Sequence, residues 1–127
     1  MAKILLCDDN KSVLKLLETK LKELGHDVVA LARDGEECIR LYQDLRPDLL
    51  LLDLTMPNMD GREVLTEIIA LDQLAKVIMV SAIVNADIQG ECLKIGAKQF
   101  LSKSELSNIE IFKMKIEQVM SIQQHAS

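Results

Sequence analysis

The sequence predicts an α/β fold: five βα units in one doubly wound, five-stranded parallel sheet with helices on both faces. Three observations predict it. Short apolar runs alternate along the chain with stretches of helical period. The middle run is a row of four leucines with no polar alternation, the mark of a strand buried on both faces. No internal repeat, low-complexity tract or linker interrupts the alternation, and 127 residues suffice for one hydrophobic core but not for two.

Each element follows from its own residues. Lys3 to Cys7 is an apolar strand that ends in Asp8-Asp9-Asn10. Val13, Leu17, Leu21 and Leu24 share one face of a helix, and Gly25 is its stop signal. Asp27 to Ala32 is the second strand. Asp34 is then an N-cap with a carboxylate, Glu37, three positions later. Cys38, Leu41, Tyr42 and Leu45 form the stripe behind it, and Pro47 ends that helix. Asp48 to Leu52 is the third strand, capped by Asp53. The turn Thr55-Met-Pro-Asn-Met-Asp-Gly61 leads into a helix carrying Val64, Leu65, Ile68 and Ile69. Lys76 to Val80 is the fourth strand, ending at Ser81. A weaker helix spans Ala86 to Ile95 with Gly90 inside it. Gln99 to Leu101 is a short fifth strand that ends near Lys103. Ser107-Asn-Ile-Glu110 reads as a capping box for a last helix with Ile109, Phe112, Ile116, Val119 and Met120 as its stripe. The domain is expected over residues 1–122, with a frayed polar tail at 123–127 that begins at or just before that point.

Composition excludes several function classes. With 49% apolar and 28% charged residues, the chain is expected to fold as a soluble globule. It contains no run near the ~20 apolar residues of a membrane span and no signal-peptide pattern, so a cytoplasmic location is expected. Cys7, Cys38 and Cys92 are scattered, which argues against a disulfide framework or a zinc site and for three small buried residues. His26 and His125 are isolated. The net charge is −5, and the aromatic residues are only Tyr42, Phe100 and Phe112, so the usual basis for binding nucleic acid is missing and a protein partner is expected.

In sheets of this kind ligands bind beyond the carboxyl ends of the strands. Those ends carry Asp8 and Asp9, Asp53, Ser81 and Lys103. Carboxylates gathered on one rim repel one another unless a cation compensates. A hard divalent ion with oxygen ligands does so, and Mg²⁺ is the ion of choice where one or two carboxylates share it with water and phosphate. Taken singly, each residue also has a plainer reading. Adjacent aspartates after a strand serve as a turn and helix cap, a lone serine is usually structural, and a lone lysine is usually a solvated surface group. Joint placement at the strand ends argues for a site.

Four segments carry a family resemblance: Ile-Leu-Leu-Cys-Asp-Asp-Asn, Pro-Asp-Leu-Leu-Leu-Leu-Asp-Leu-Thr-Met-Pro-Asn-Met-Asp-Gly, Val-Ser-Ala and Gly-Ala-Lys-Gln-Phe-Leu-Ser-Lys. In order and spacing the chain resembles the receiver domain of bacterial response regulators, especially the single-domain chemotaxis type (CheY-like), over nearly its whole length. The resemblance implies a flavodoxin-like strand order of 2-1-3-4-5. It implies Asp53 as phosphoacceptor, Asp9 as a direct Mg²⁺ ligand with Asp8 orienting the ion partly through water, and the Thr55 backbone carbonyl as a further ligand. Lys103 would neutralise a phosphoryl oxygen, Ser81 would donate to the phosphoryl group, and Phe100 would be both core and switch residue. A sensor histidine kinase or phosphotransfer protein would be the donor, and a downstream protein would read the surface of the fourth helix, fifth strand and fifth helix. Such a protein is a signalling phosphoacceptor that assists its own phosphorylation and dephosphorylation rather than an enzyme acting on others.

The chain departs from the family pattern in two places. The usual proline after the lysine is Ser104, so the bond that follows Lys103 is expected to be trans. Thr55 and the apolar Ile83 stand two residues past Asp53 and Ser81, where they flank the route of a hydrolytic water, which predicts slow self-dephosphorylation. Rival readings are a haloacid-dehalogenase-like phosphohydrolase, a receiver that serves only as a protein-binding module, and the input half of a DNA-binding regulator. The first wants a second aspartate two residues after its nucleophile, and Thr55 stands there. For the third, an output domain would lie outside the sequence.

Overall fold

The computed structural model describes residues 2–83 and 85–122. Its elements run β1 (Lys3–Cys7), α1 (Lys11–Glu23), β2 (Asp27–Ala32), α2 (Gly35–Leu45), β3 (Leu49–Asp53), α3 (Gly61–Leu71), β4 (Val77–Ser81), α4 (Ala86–Ile95), β5 (Gln99–Ser102), a 3₁₀ turn (Lys103–Ser107) and α5 (Ile109–Met120). The five strands form one sheet in the order β2-β1-β3-β4-β5, with every neighbouring pair parallel. The alternation of apolar runs and helical stripes thus produces the expected doubly wound architecture.

Period-2 alternation sends successive strand side chains to opposite layers. On one side Ile4, Leu6, Leu49, Leu51, Ile78 and Val80 pack against Leu14, Leu17 and Leu21 of α1 and Phe112, Ile116 and Val119 of α5. On the other, Leu5, Leu50, Leu52 and Met79 meet Cys38 and Tyr42 of α2, Val64, Leu65 and Ile68 of α3, and Cys92 of α4. All of β3 is buried, as its unbroken apolar run requires. The end of β3 far from the acidic rim is fastened by polar contacts. The Lys3 N–H donates to Asp48 Oδ2 at 2.8 Å, and the Asp48 N–H donates to the Lys3 carbonyl at 2.8 Å.

Local signals act where expected, with small displacements. The Asn10 side chain caps α1 by accepting from the Ser12 and Val13 N–H groups, so the helix begins ahead of its apolar stripe. Asp34 caps α2 by accepting from the Glu37 N–H, and Glu37 accepts from the Arg33 N–H. Gly25 follows α1 at a φ of 87°, in the left-handed region that glycine tolerates. Cys7, Cys38 and Cys92 are buried free thiols.

Two expectations at the C-terminal end need correction. The cap of α5 is Asn108, whose side chain accepts from the Ile111 N–H, and not Ser107. The capping box lies earlier, on Ser102 and Glu105, and it opens the 3₁₀ turn, which no periodicity announces. The frayed tail is expected from about Ile122, but that residue packs against the α1–α5 layer. The tail at 123–127 and His125 lie outside the described residues. None of the described helices is long and apolar enough to cross a membrane.

Candidate functional site

The carboxyl ends of β1 and β3 deliver the acidic residues to one place. Asp8, Asp9 and Asp53 each present a carboxylate oxygen within 4.8 Å of the others. Asp53 closes the buried leucine strand and is only 3% exposed; Asp8 is 1% exposed, and Asp9 lies open to solvent. The Asp8 backbone N–H donates to the Ala32 carbonyl, and Asp8 Oδ1 accepts from the Asn10 N–H at 2.9 Å, so the residue is held through its backbone and its side chain. Lys103, just beyond β5, reaches across to 3.1 Å from Asp8 Oδ2 and 3.5 Å from Asp53 Oδ1.

The electrostatics of this group are unbalanced. Burial, reinforced by the Asp8 charge, pushes Asp53 up to about 6 despite opposition from Lys103 and from the Thr55 N–H. Burial alone would lower Lys103, but Asp53 and Asp8 outweigh it and raise the ammonium above its ordinary value. Although Lys103 pairs with it in charge, Asp8 Oδ2 has no hydrogen-bond partner among the described residues and is fully enclosed. Three carboxylates against one ammonium, with a buried oxygen that Lys103 meets only as a charge, fit a hard divalent cation such as Mg²⁺.

The remaining predicted residues surround this centre. The Thr55 N–H points to Asp53 Oδ1 at 3.5 Å, a long contact. Ser81 ends β4 and is buried, with its Oγ accepting from the Ile83 N–H at 3.0 Å, and its own O–H proton meets no acceptor among the described residues. Phe100, on β5, is inside the α2–α3–α4 layer. Ile83 is exposed beside a groove of about 470 Å³ that it lines with Leu54, Thr55, Met56 and Met59.

The structure also brings in residues to which the sequence reading assigns no role. A Cβ on Gly61 would lie 2.7 Å from Leu54 Cα and collide with the Asp53 carbonyl, so only glycine lets α3 start this close to the site strand. Arg62 forms a fork, donating to Asp60 Oδ2 and to Glu91 Oε2, both at 2.9 Å, which ties the start of α3 to α4. Lys115, on α5, donates to the Phe100 carbonyl at 2.8 Å and to Glu105 Oε1 at 3.0 Å. The glycine has a signal in the sequence, standing between a turn and a helix. The Arg62–Glu91 and Lys115–Glu105 pairs have none, since their partners are 29 and 10 residues apart along the chain.

Comparison with known proteins agrees with this geometry. The family profile described as "Response regulator receiver domain" matches residues 4–114. A chemotaxis protein CheY of Listeria monocytogenes is 40% identical over 103 residues, covering 81% of this chain and 87% of that protein. A protein-glutamate methylesterase/protein-glutamine glutaminase of Bacillus licheniformis is 38% identical over 129 residues, covering 95% of this chain but 36% of that longer protein. The CheX–CheY–BeF₃–Mg²⁺ complex of Borrelia burgdorferi contains a chain that superposes with a TM-score of 0.84 at 32% identity, covering 91% of this chain and 88% of that one. Receiver domains bind Mg²⁺ at an aspartate cluster, and such a cluster is present here. A parallel 2-1-3-4-5 sheet, an acidic rim with a lysine across it and a profile spanning most of the sequence lead to one conclusion: the chain belongs to the response-regulator receiver family of two-component signalling.

Proposed function

We propose that this chain works as a stand-alone receiver that takes a phosphoryl group onto Asp53 from a phosphohistidine kinase, a phosphotransfer protein or a small phosphodonor. The observation that carries the reading is the buried Asp53 carboxylate, set beside Asp8 and Asp9 with the Lys103 ammonium against it. An Asp53 oxygen forms a bond to phosphorus while the donor's P–N bond, or the P–O bond of acetyl phosphate, breaks. The electron pair of that bond leaves with the imidazole or the acetate. Asp8, Asp9, Asp53 and the Thr55 carbonyl would hold Mg²⁺, which would supply charge neutralisation on the phosphoryl oxygens. Lys103 compensates another of those oxygens as a point charge. Phosphoryl transfer needs little from a protein beyond such alignment and neutralisation, so the chain assists its own labelling without being an enzyme toward other molecules.

The signal leaves through α4, β5 and α5. The O–H of Ser81 turns to the new phosphoryl oxygens, Phe100 turns inward into the space Ser81 vacates, and the helical surface shifts between two states to meet a downstream protein. The exposed Ile83 and Thr55 beside the site favour a long-lived aspartyl phosphate, since neither can activate a water. Loss of the label within seconds would count against this part.

The test is incubation with acetyl phosphate and Mg²⁺ followed by intact-mass spectrometry. The parent chain gains one phosphoryl group and Asp53→Asn gains none. Steady turnover of simple phosphate esters would instead favour a phosphohydrolase, and no label at all would leave only a protein-binding role.

A further inference from the structure

Lys103 lies on a five-residue 3₁₀ turn rather than on a strand, so something must hold its stem in line with Asp8 and Asp53. The turn has two fastenings, and they share one atom. Glu105 Oε1 accepts from the Ser102 N–H at 2.9 Å, which closes the chain across Lys103 and Ser104. The same oxygen accepts from Lys115 Nζ at 3.0 Å. Lys115 comes from the second turn of α5 and also donates to the Phe100 carbonyl at 2.8 Å. Both ends of the segment that carries Lys103 are therefore gripped by a single ammonium from another element. Ser102 Oγ and Ser104 Oγ lie 2.8 Å apart and brace the same turn from within.

The pair is built into the fold rather than laid on its surface. The Lys115 and Glu105 side chains are 18% and 26% exposed, whereas the neighbouring pair Lys113–Glu117 on the same helix stands 4.0 Å apart at 56% and 62%. Charge-assisted hydrogen bonds in such a setting are short and directional, so they fix where the turn points as well as holding it.

We infer that Lys115 and Glu105 are positioning residues for Lys103, an ionic clamp that makes α5 part of the phosphorylation machinery. The inference rests on the receiver reading above. It assigns to the helix at the proposed output face a direct mechanical hold on the site lysine, and with it a means for a protein seated on α5 to alter the rate of phosphoryl transfer. Neither residue touches the reacting atoms; each acts through the backbone of residues 100–105.

The experiment measures acetyl phosphate labelling of the full chain by intact mass, as maximal rate and as half-saturating donor concentration, together with the Mg²⁺ dissociation constant and the melting temperature. Lys115→Met should lower the maximal rate about tenfold or more, as expected for a misplaced catalytic group. Glu105→Gln should lower it less, because the amide oxygen still accepts from Ser102. Mg²⁺ binding should not weaken in either variant, since a loosened Lys103 no longer competes for Asp8 and Asp53. Lys113→Met, with the same charge change one turn-face away, should label like the parent. In a Lys103→Met background, Lys115→Met should add no further loss, the signature of two residues acting as one. Parent-like labelling of Lys115→Met, additive losses in the double variant, or Mg²⁺ affinity falling in step with rate would each overturn the clamp. If the parent chain itself takes no phosphoryl group, the receiver reading falls and the clamp with it; if the parent is labelled and the variants match it, the clamp alone falls.

Discussion

Asp53 shows how a single side chain can be costly to the fold and still define the site. Its carboxyl is raised from 3.8 to about 6, mainly by burial, so the folded chain holds a proton there more tightly than the unfolded chain does. As pH rises from about 4 through about 6 that advantage is lost, and near neutrality the metal-free fold carries a buried charge that Lys103 offsets only in part. Asp53→Asn should therefore stabilise the metal-free protein at neutral pH by about 2–3 kcal/mol in urea melts, since each tenfold change in proton affinity is worth about 1.4 kcal/mol. The gain should vanish near the ordinary carboxylate value and shrink when Mg²⁺ is added. Glu105 behaves oppositely. Burial pushes it up, but the Ser102 N–H and Lys115 more than offset this and hold it below the ordinary range, so its contribution is lost as pH falls through that lowered value. Gly61 makes a different kind of contribution. Gly61→Ala forces a methyl group against the Asp53 and Leu54 backbone, and should cost about 1–3 kcal/mol in the same melts, as overpacking does. It should also slow acetyl phosphate labelling, because the atoms displaced are those that aim Asp53.

At the scale of elements, α4 is the loosely held one. Cys92 is its one fully buried residue, a Cβ at Gly90 would meet open space, and the Arg62 fork to Glu91 is a principal tie to α3. Arg62→Ala should speed hydrogen exchange of the amides in 86–95 with little change in overall melting, because the pair is partly solvated. Gly90→Ala should slow the same amides, since alanine is about 1 kcal/mol better than glycine inside a helix. Equal exchange in parent and both variants would show that α4 is held by its apolar contacts alone. Element limits are legible in the sequence even where the period is weak: α4 has the expected limits Ala86–Ile95, and the acids, Ser81 and Lys103 stand at strand ends as read. The α5 cap reads one residue too early because Ser107 and Asn108 are both good cap formers, and only the backbone decides which side chain faces the free N–H groups. Lys-Ser-Glu-Leu-Ser has neither helical nor strand period, so the trace of the 3₁₀ turn in the sequence is the Ser-x-x-Glu box of Ser102 and Glu105. The Glu105–Lys115 pair is hidden because charged residues ten apart across a helix boundary carry no spacing rule.

The molecule as a whole combines a largely apolar interior with one acidic lip, and its stability should answer to both. Leu51→Ala, in the centre of the α1–α5 layer, should cost about 2–5 kcal/mol, as large-to-small core substitutions do. Mg²⁺ should raise the melting temperature at neutral pH, because an ion that binds only the folded chain stabilises it by about 2.7 kcal/mol at a hundred times its dissociation constant. EDTA should reverse the rise, and Asp9→Asn should blunt it; no shift with Mg²⁺ in the parent would argue that the lip holds no ion. The leucine strand has a further consequence. Since Leu49 to Leu52 are identical, sliding β3 by one residue would still bury a leucine at nearly every interior place, and hydrophobicity hardly tells right from wrong alignment. Alignment must come from the two ends, where Asp48 is latched onto Lys3 and Asp53 meets Lys103. The aspartate at the lip is thus indexed by a polar catch at the opposite rim, one full strand away, and loosening that catch would blur the aim of the carboxylate without removing a single atom near it.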